Sequence, residues 1–159
     1  RGRFDRFDQQ PDHRYRHIDS TFLGGRKMNH EQLIALAFEA KKNSYSPYSK
    51  YPVGACVLTK DGKTFKGTNI ENASFGLTNC AERSAIFATY SNGYKKKDIE
   101  AIAIVSDGKK LAAPCGACRQ VLNELLEKDT PIILSNGTKT IETNINDLLP
   151  MSFGPEDVL

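Results

Sequence analysis

The two stretches Cys80-Ala81-Glu82 and Pro114-Cys115-Gly116-Ala117-Cys118 constrain this chain more than any others. Three thiolates are one ligand short of the closed tetrahedron of a structural zinc, and an open position is what a catalytic zinc needs. Glu82 stands two residues from a ligand, close enough to exchange protons with whatever fills that position.

Composition narrows the partner. The net charge of +3 comes from residues 1–27, where seven Lys and Arg face four Asp; residues 28–159 carry fifteen charges of each sign. A neutral body lacks the clustered basic surface that nucleic acid requires, so a small-molecule partner is expected and nucleic acid is not. No apolar run approaches the roughly 18 residues of a membrane span, and the residues given contain no signal-peptide core. Four cysteines in such a chain point to a reducing compartment, here the cytoplasm, where metal binding or catalysis outranks disulfides. His30 is the single histidine of residues 28–159, which excludes a His-rich site.

Hydrophobic content of 39% over 159 residues suits one domain with a sizeable core. Residues 1–27 are Arg- and Asp-rich without hydrophobic period, and read as a vector-derived leader ahead of a domain over 28–159. Leu33, Ile34, Ala37, Phe38 and Ala40 then recur at helical spacing and predict a helix over 29–43. Tyr45–Ser49 is an extended linker around Pro47. Val53–Thr59 and Thr64–Thr68 flank Asp61-Gly62, a hairpin signal. Cys80 opens a second helix that ends near Asn92-Gly93; Ile99–Ser106 is a doubly buried strand. Pro114 opens a third helix through Lys128, and strands follow at Pro131–Ser135 and Lys139–Thr143. This order suits a layered α/β fold with one mixed sheet and helices on its faces.

Both cysteine motifs fall at predicted helix N-termini, where free N–H groups and the positive dipole end favour thiolate over thiol. Cys115 and Cys118 lie about one turn apart and can grip one ion. Three thiolates on Zn²⁺ leave a net negative charge, which weakens the metal as a Lewis acid. Arg83 and Arg119 each follow a key motif residue and could offset that excess by donating to sulfur. Alone, Glu82 would read as first-turn helix chemistry; its place after a ligand makes it the candidate proton carrier. Cys56, on a buried strand, reads as a small core residue.

The motif Cys80-Ala81-Glu82-Arg83 followed by Pro114-Cys115-Gly116-Ala117-Cys118-Arg119-Gln120 resembles the signature known for zinc deaminases, with Cys80 in place of His. Together with Tyr48-Ser49-Lys50, Val53-Gly54-Ala55, Asn69-Ile70-Glu71-Asn72-Ala73 and Leu148-Leu149-Pro150, it makes the chain from Asn29 onward similar to the homotetrameric cytidine deaminases. The resemblance implies a three-layer fold on a mixed five-stranded sheet, one Zn²⁺ per chain held by Cys80, Cys115 and Cys118, and hydrolytic deamination of cytidine and 2′-deoxycytidine. It implies that metal-activated water attacks C4 and that Glu82 shuttles protons to N3 and the leaving ammonia. Substrate-binding positions carried over are Tyr51, Val53, Asn69, Glu71, Ala73, Phe75, Ala81 and Phe153, with Asn69 and Glu71 toward the ribose. Tyr51 stands where a phenylalanine is usual and Phe75 where a tyrosine is usual. Phe153 matches an aromatic lent by a neighbouring subunit, or else anchors the C-terminus in the core.

Two competing readings remain at this point. One keeps the zinc chemistry but takes a blasticidin-type or free nucleobase substrate. The other is a structural zinc module closed by Cys56 as a fourth ligand.

Overall fold

The computed structural model describes residues 27–159, so the leader expected over residues 1–27 lies outside the described residues except for Lys27. The helices are α1 (His30–Lys41), α2 (Ala81–Ser91), α3 (Gly116–Leu125) and α4 (Ile145–Leu148). The strands are β1 (Val53–Thr59), β2 (Thr64–Thr68), β3 (Ile99–Ser106), β4 (Ile132–Ser135) and β5 (Thr140–Thr143). They form one five-stranded sheet in the order β2-β1-β3-β4-β5. Only the β3–β4 pairing is parallel, as its crossover through α3 requires; the other three are antiparallel.

Period-two alternation sorts the side chains between two cores. On one face, Cys56, Leu58, Ala101, Ala103 and Val105 meet Leu33, Leu36, Ala37 and Phe38 of α1. On the other, Ala55, Val57, Ile102 and Ile104 meet Ala81, Ala85 and Ile86 of α2 and Leu122 of α3. The three-layer α/β architecture expected from the sequence is therefore the one observed. Asn29 and Gln32 close a reciprocal cap at the start of α1, with bonds of 2.9 and 3.0 Å. The Asp61-Gly62 hairpin is also as expected, and Gly62 takes a left-handed φ of 88° at its turn.

Two helices are shorter than their sequence patterns suggested, and α1 spans His30–Lys41 rather than 29–43. The third helix ends at Leu125 rather than Lys128, because Leu126 turns to an extended conformation and buries its side chain. The chain has to bend there to bring Ile132 beside Ile102 in the sheet. The short α4 was not expected; Asn144, whose side chain accepts from the Asp147 amide at 3.1 Å, is the capping signal that marks it.

Two glycines set how closely the helices lie on the sheet. A Cβ at Gly54 would fall 2.0 Å from the Ala37 carbonyl oxygen, and one at Gly67 would fall 2.3 Å from the Ala85 nitrogen. Backbone occupies both places, so neither clash can be relieved by a rotamer change. Gly54→Ala is expected to destabilise the fold by about 2–3 kcal/mol, the upper part of the usual cost of overpacking. Gly76, whose Cβ would meet nothing within 4 Å, is the control and should change little on substitution by Ala. Urea denaturation midpoints at constant slope test both.

Candidate active site

The three cysteines that could hold a metal come from two helix starts on the same face of the sheet. Cys80 is the N-cap of α2 and Cys115 the N-cap of α3, and neither spends its sulfur on a capping bond. Cys118 lies in the first turn of α3 and is fully buried. The three Sγ atoms lie within 4.8 Å of one another, with Cys80 and Cys115 at 3.9 Å. A tetrahedral zinc with Zn–S of 2.3 Å has S···S edges of about 3.8 Å, so these three sulfurs fit such an ion. Cys56 is elsewhere. It sits in the α1-side core, its thiol pushed up to about 12 by burial, and is not among the clustered sulfurs. That geometry removes the four-cysteine module.

The sulfurs are electrostatically coupled. The hydrogen bond from Cys118 holds Cys80 down to about 5, with Arg83 and Cys115 adding to it against the cost of burial. Cys118 is raised by the same bond and by burial. Arg83 Nη2 donates to Cys80 Sγ at 3.5 Å, and its pKa is raised first by that bond. The Arg83 Nε is buried without a partner. A cation partly stripped of partners beside sulfur suits compensation of thiolate charge. Arg119 departs from the expectation. Its Nε donates to the Pro114 carbonyl at 2.8 Å and its Nη1 to the Leu148 carbonyl at 2.7 Å. It therefore fastens the loop that carries Cys115 to α4, and its guanidinium is spent on oxygen.

A cavity of about 420 Å³ opens beside Cys80 and Cys115, a size suited to a small metabolite. Glu82 lines it and is only 5% exposed. Burial pushes its carboxyl up to about 7, with the Cys80 charge adding to the effect, so the group can both take and give a proton near neutrality.

Of the positions expected from the sequence, Tyr51, Val53, Asn69, Ala81 and Glu82 line this cavity with the two cysteines. Asn69 is a fastener: Oδ1 accepts from the Val53 amide at 2.9 Å and from Ser44 Oγ at 2.5 Å, while Nδ2 donates to the Tyr51 carbonyl at 2.9 Å. Glu71 is buried behind the wall, accepting from the Tyr48 amide at 2.8 Å and the Ser49 amide at 3.2 Å. Its carboxyl is held below the usual range by hydrogen bonding to the Ser49 side chain first, and then to those amides. Ala73 and Phe75 lie on an exposed loop outside the cavity, where the Phe75 ring meets Tyr48 edge-on at 5.8 Å. Phe153 is also outside it. The residue is 61% exposed, which excludes a core anchor, while its carbonyl accepts from Gln120 Nε2 at 2.9 Å and Asn123 Nδ2 at 3.1 Å.

Sequence reasoning missed Thr78, Asn79 and Leu111–Ala113, which also line the cavity. Leu111–Ala113 could have been found, because they run directly into Pro114-Cys115. Thr78 and Asn79 carried no signal beyond preceding Cys80.

A mixed α/β sheet that sets three clustered cysteines and a buried glutamate beside one cavity is the frame of a zinc-dependent hydrolytic enzyme. A profile of the family described as "Cytidine and deoxycytidylate deaminase zinc-binding region" matches residues 27–134, and the chain belongs to that family. It is 49% identical over 132 residues to a cytidine deaminase of Halalkalibacterium halodurans, covering 82% of this chain and 98% of that protein. The crystal structure of the cytidine deaminase from Burkholderia pseudomallei superposes with a TM-score of 0.77 at 46% identity, covering 79% of this chain and all of that one. A crystal structure of the Mycobacterium tuberculosis cytidine deaminase gives 0.68 at 35% identity, covering 80% and 99% of the two chains.

Arg83→Gln is expected to keep the fold and lower activity about 10- to 100-fold, the range for outer partners of metal ligands. Steady-state kinetics with metal content by elemental analysis would check this. An unchanged rate at full zinc content would count against charge compensation.

Proposed function

We propose that this chain hydrolytically deaminates cytidine and 2′-deoxycytidine, yielding uridine and 2′-deoxyuridine plus ammonia. The observation that carries the reading is the buried Glu82 facing the same cavity as Cys80 and Cys115. Cys80, Cys115 and Cys118 would hold one Zn²⁺, which when bound supplies the Lewis acidity that makes a water nucleophilic at neutral pH. The other steps fall to the chain's own residues. As the water oxygen bonds to C4, Glu82 takes its proton and delivers it to N3. Glu82 then carries the second proton to the amine as the C4–N4 bond breaks and ammonia leaves. Burial keeps this carboxyl from losing its proton to solvent between the two transfers.

Tyr51, Val53 and Ala81 wall the base. Asn69, with both lone pairs and one N–H committed to protein, retains one N–H for a ribose hydroxyl. Glu71 orders the Tyr48–Ser49 turn beside it. Ala73, Phe75 and Phe153 enter the reading as contacts completed across a homotetramer. The large apolar side chains left in solvent, Tyr45, Phe75, Leu77 and Phe153 among them, support such an assembly. All four cysteines are free, as suits the reducing cytoplasm, and no helix among the described residues is long and apolar enough to cross a membrane.

Glu82→Gln should retain zinc and lose at least about 100-fold in kcat for cytidine, the lower bound for a proton carrier. Cys56→Ser should keep both zinc and activity, whereas Cys118→Ser should lose the metal. Activity confined to free cytosine or a blasticidin-type aminonucleoside would overturn the nucleoside reading. For the shared site, Phe153→Ala should raise KM without changing the oligomer measured by light scattering; a fully active monomeric wild type would refute sharing.

A further inference from the structure

We propose that Tyr51 and Ser106 form a latch that fixes the distance between the two walls of the cavity, with Tyr51 as a positioning residue for the substrate; the substrate assignment rests on the function proposed above. The Tyr51 ring lines the cavity, and its hydroxyl lies 3.0 Å from Ser106 Oγ. Ser106 is the last residue of β3, fully buried and in register with Val53. Residues 107–113 follow at once, and Leu111–Ala113 line the same cavity before the chain reaches Cys115. One bond between two hydroxyls therefore joins the segment that bears Tyr51 and Val53 to the segment that delivers a metal ligand.

The surroundings prepare the tyrosine for this role. Lys50, just before it, has a left-handed φ of 55° and turns the chain, while the Tyr51 amide donates to Ser49 Oγ at 3.1 Å. The Tyr51 carbonyl is held by Asn69 at 2.9 Å, so the backbone of the residue is tied at both ends. A Cβ at Gly108 would touch the Tyr51 ring at 3.5 Å, which places the ring directly against the 107–113 segment. On its outer side that segment is held by the Lys41–Asp107 ion pair and by Asn136 Nδ2, which donates to the Gly108 carbonyl at 3.1 Å. Tyr51 holds it from the cavity side. A phenylalanine here would present the same ring but leave the buried Ser106 hydroxyl without its partner.

Tyr51→Phe, Ser106→Ala and the double variant separate a latch from mere satisfaction of a buried hydroxyl. Each would be zinc-loaded and assayed for cytidine KM and kcat, thermal midpoint, and amide hydrogen exchange across residues 108–113. The latch predicts that KM rises about threefold to tenfold and alike in all three, the worth of one neutral hydrogen bond, with kcat nearly unchanged. Exchange across 108–113 should quicken in all three. The thermal midpoint should fall in Tyr51→Phe and recover in the double variant, which leaves no buried hydroxyl unpaired. A KM that recovers along with the midpoint overturns the proposal, as does an unchanged KM or unchanged exchange. Should the wild type fail to deaminate cytidine, the proposed function falls, and the exchange rates then decide the latch without it.

Discussion

The site depends first on how closely α2 lies against β2. A side chain at Gly67 would run into the backbone of Ala81 and Ala85, the helix turns that follow Cys80. With hydrogen alone at that position, the helix descends far enough for Ala81 to be fully buried and for Glu82 to line the cavity while nearly buried. The distance between Cys80 and Cys115 follows from the same contact, because α3 is placed independently by the parallel crossover between β3 and β4. A packing constraint on the residue between Cys80 and Glu82 thus bears directly on where both side chains stand.

The second constraint is electrostatic. Gathering three sulfurs at two helix starts lets Cys118, Arg83 and Cys115 hydrogen-bond to the Cys80 sulfur and hold that group down to about 5. It also concentrates negative charge beside a buried carboxyl whose proton affinity burial has already raised. Arg83 stands on the first turn of α2 and acts on both groups. Its side chain meets Cys80, and its charge opposes the rise that burial and sulfur impose on Glu82. Arg119 contributes mechanically, by tying the Pro114 carbonyl to the end of α4. Two arginines that look equivalent in the motif therefore do different work, and the difference lies in which acceptors are nearest.

Much of the arrangement was legible in the chain because it is local. Helix starts at Cys80 and Cys115, the Asp61-Gly62 turn and the doubly buried β3 follow from capping, turn chemistry and uninterrupted apolar runs. The early end of α3 was not, because Leu126 obeys the helical period and leaves the helix only where the sheet needs the chain. The partners of Tyr51 were equally hidden. Its hydroxyl called for an acceptor or donor, but nothing within a few residues names Ser106, which reaches it through the pairing of β1 with β3.

Residue identity and spacing were enough to state the chemistry: three soft ligands, one carboxylate, an open metal position and an α/β frame to hold them. They could do so because ligand preference and helix capping act over a few residues. The roles of Glu71, Arg119 and Tyr51 were settled by contacts between segments distant in the chain. Glu71 became a support for the Tyr48–Ser49 turn, Arg119 a tie between two loops, and Tyr51 a bridge to β3. Each of these side chains has several possible partners of similar strength, and the fold selects one by bringing it within hydrogen-bonding distance.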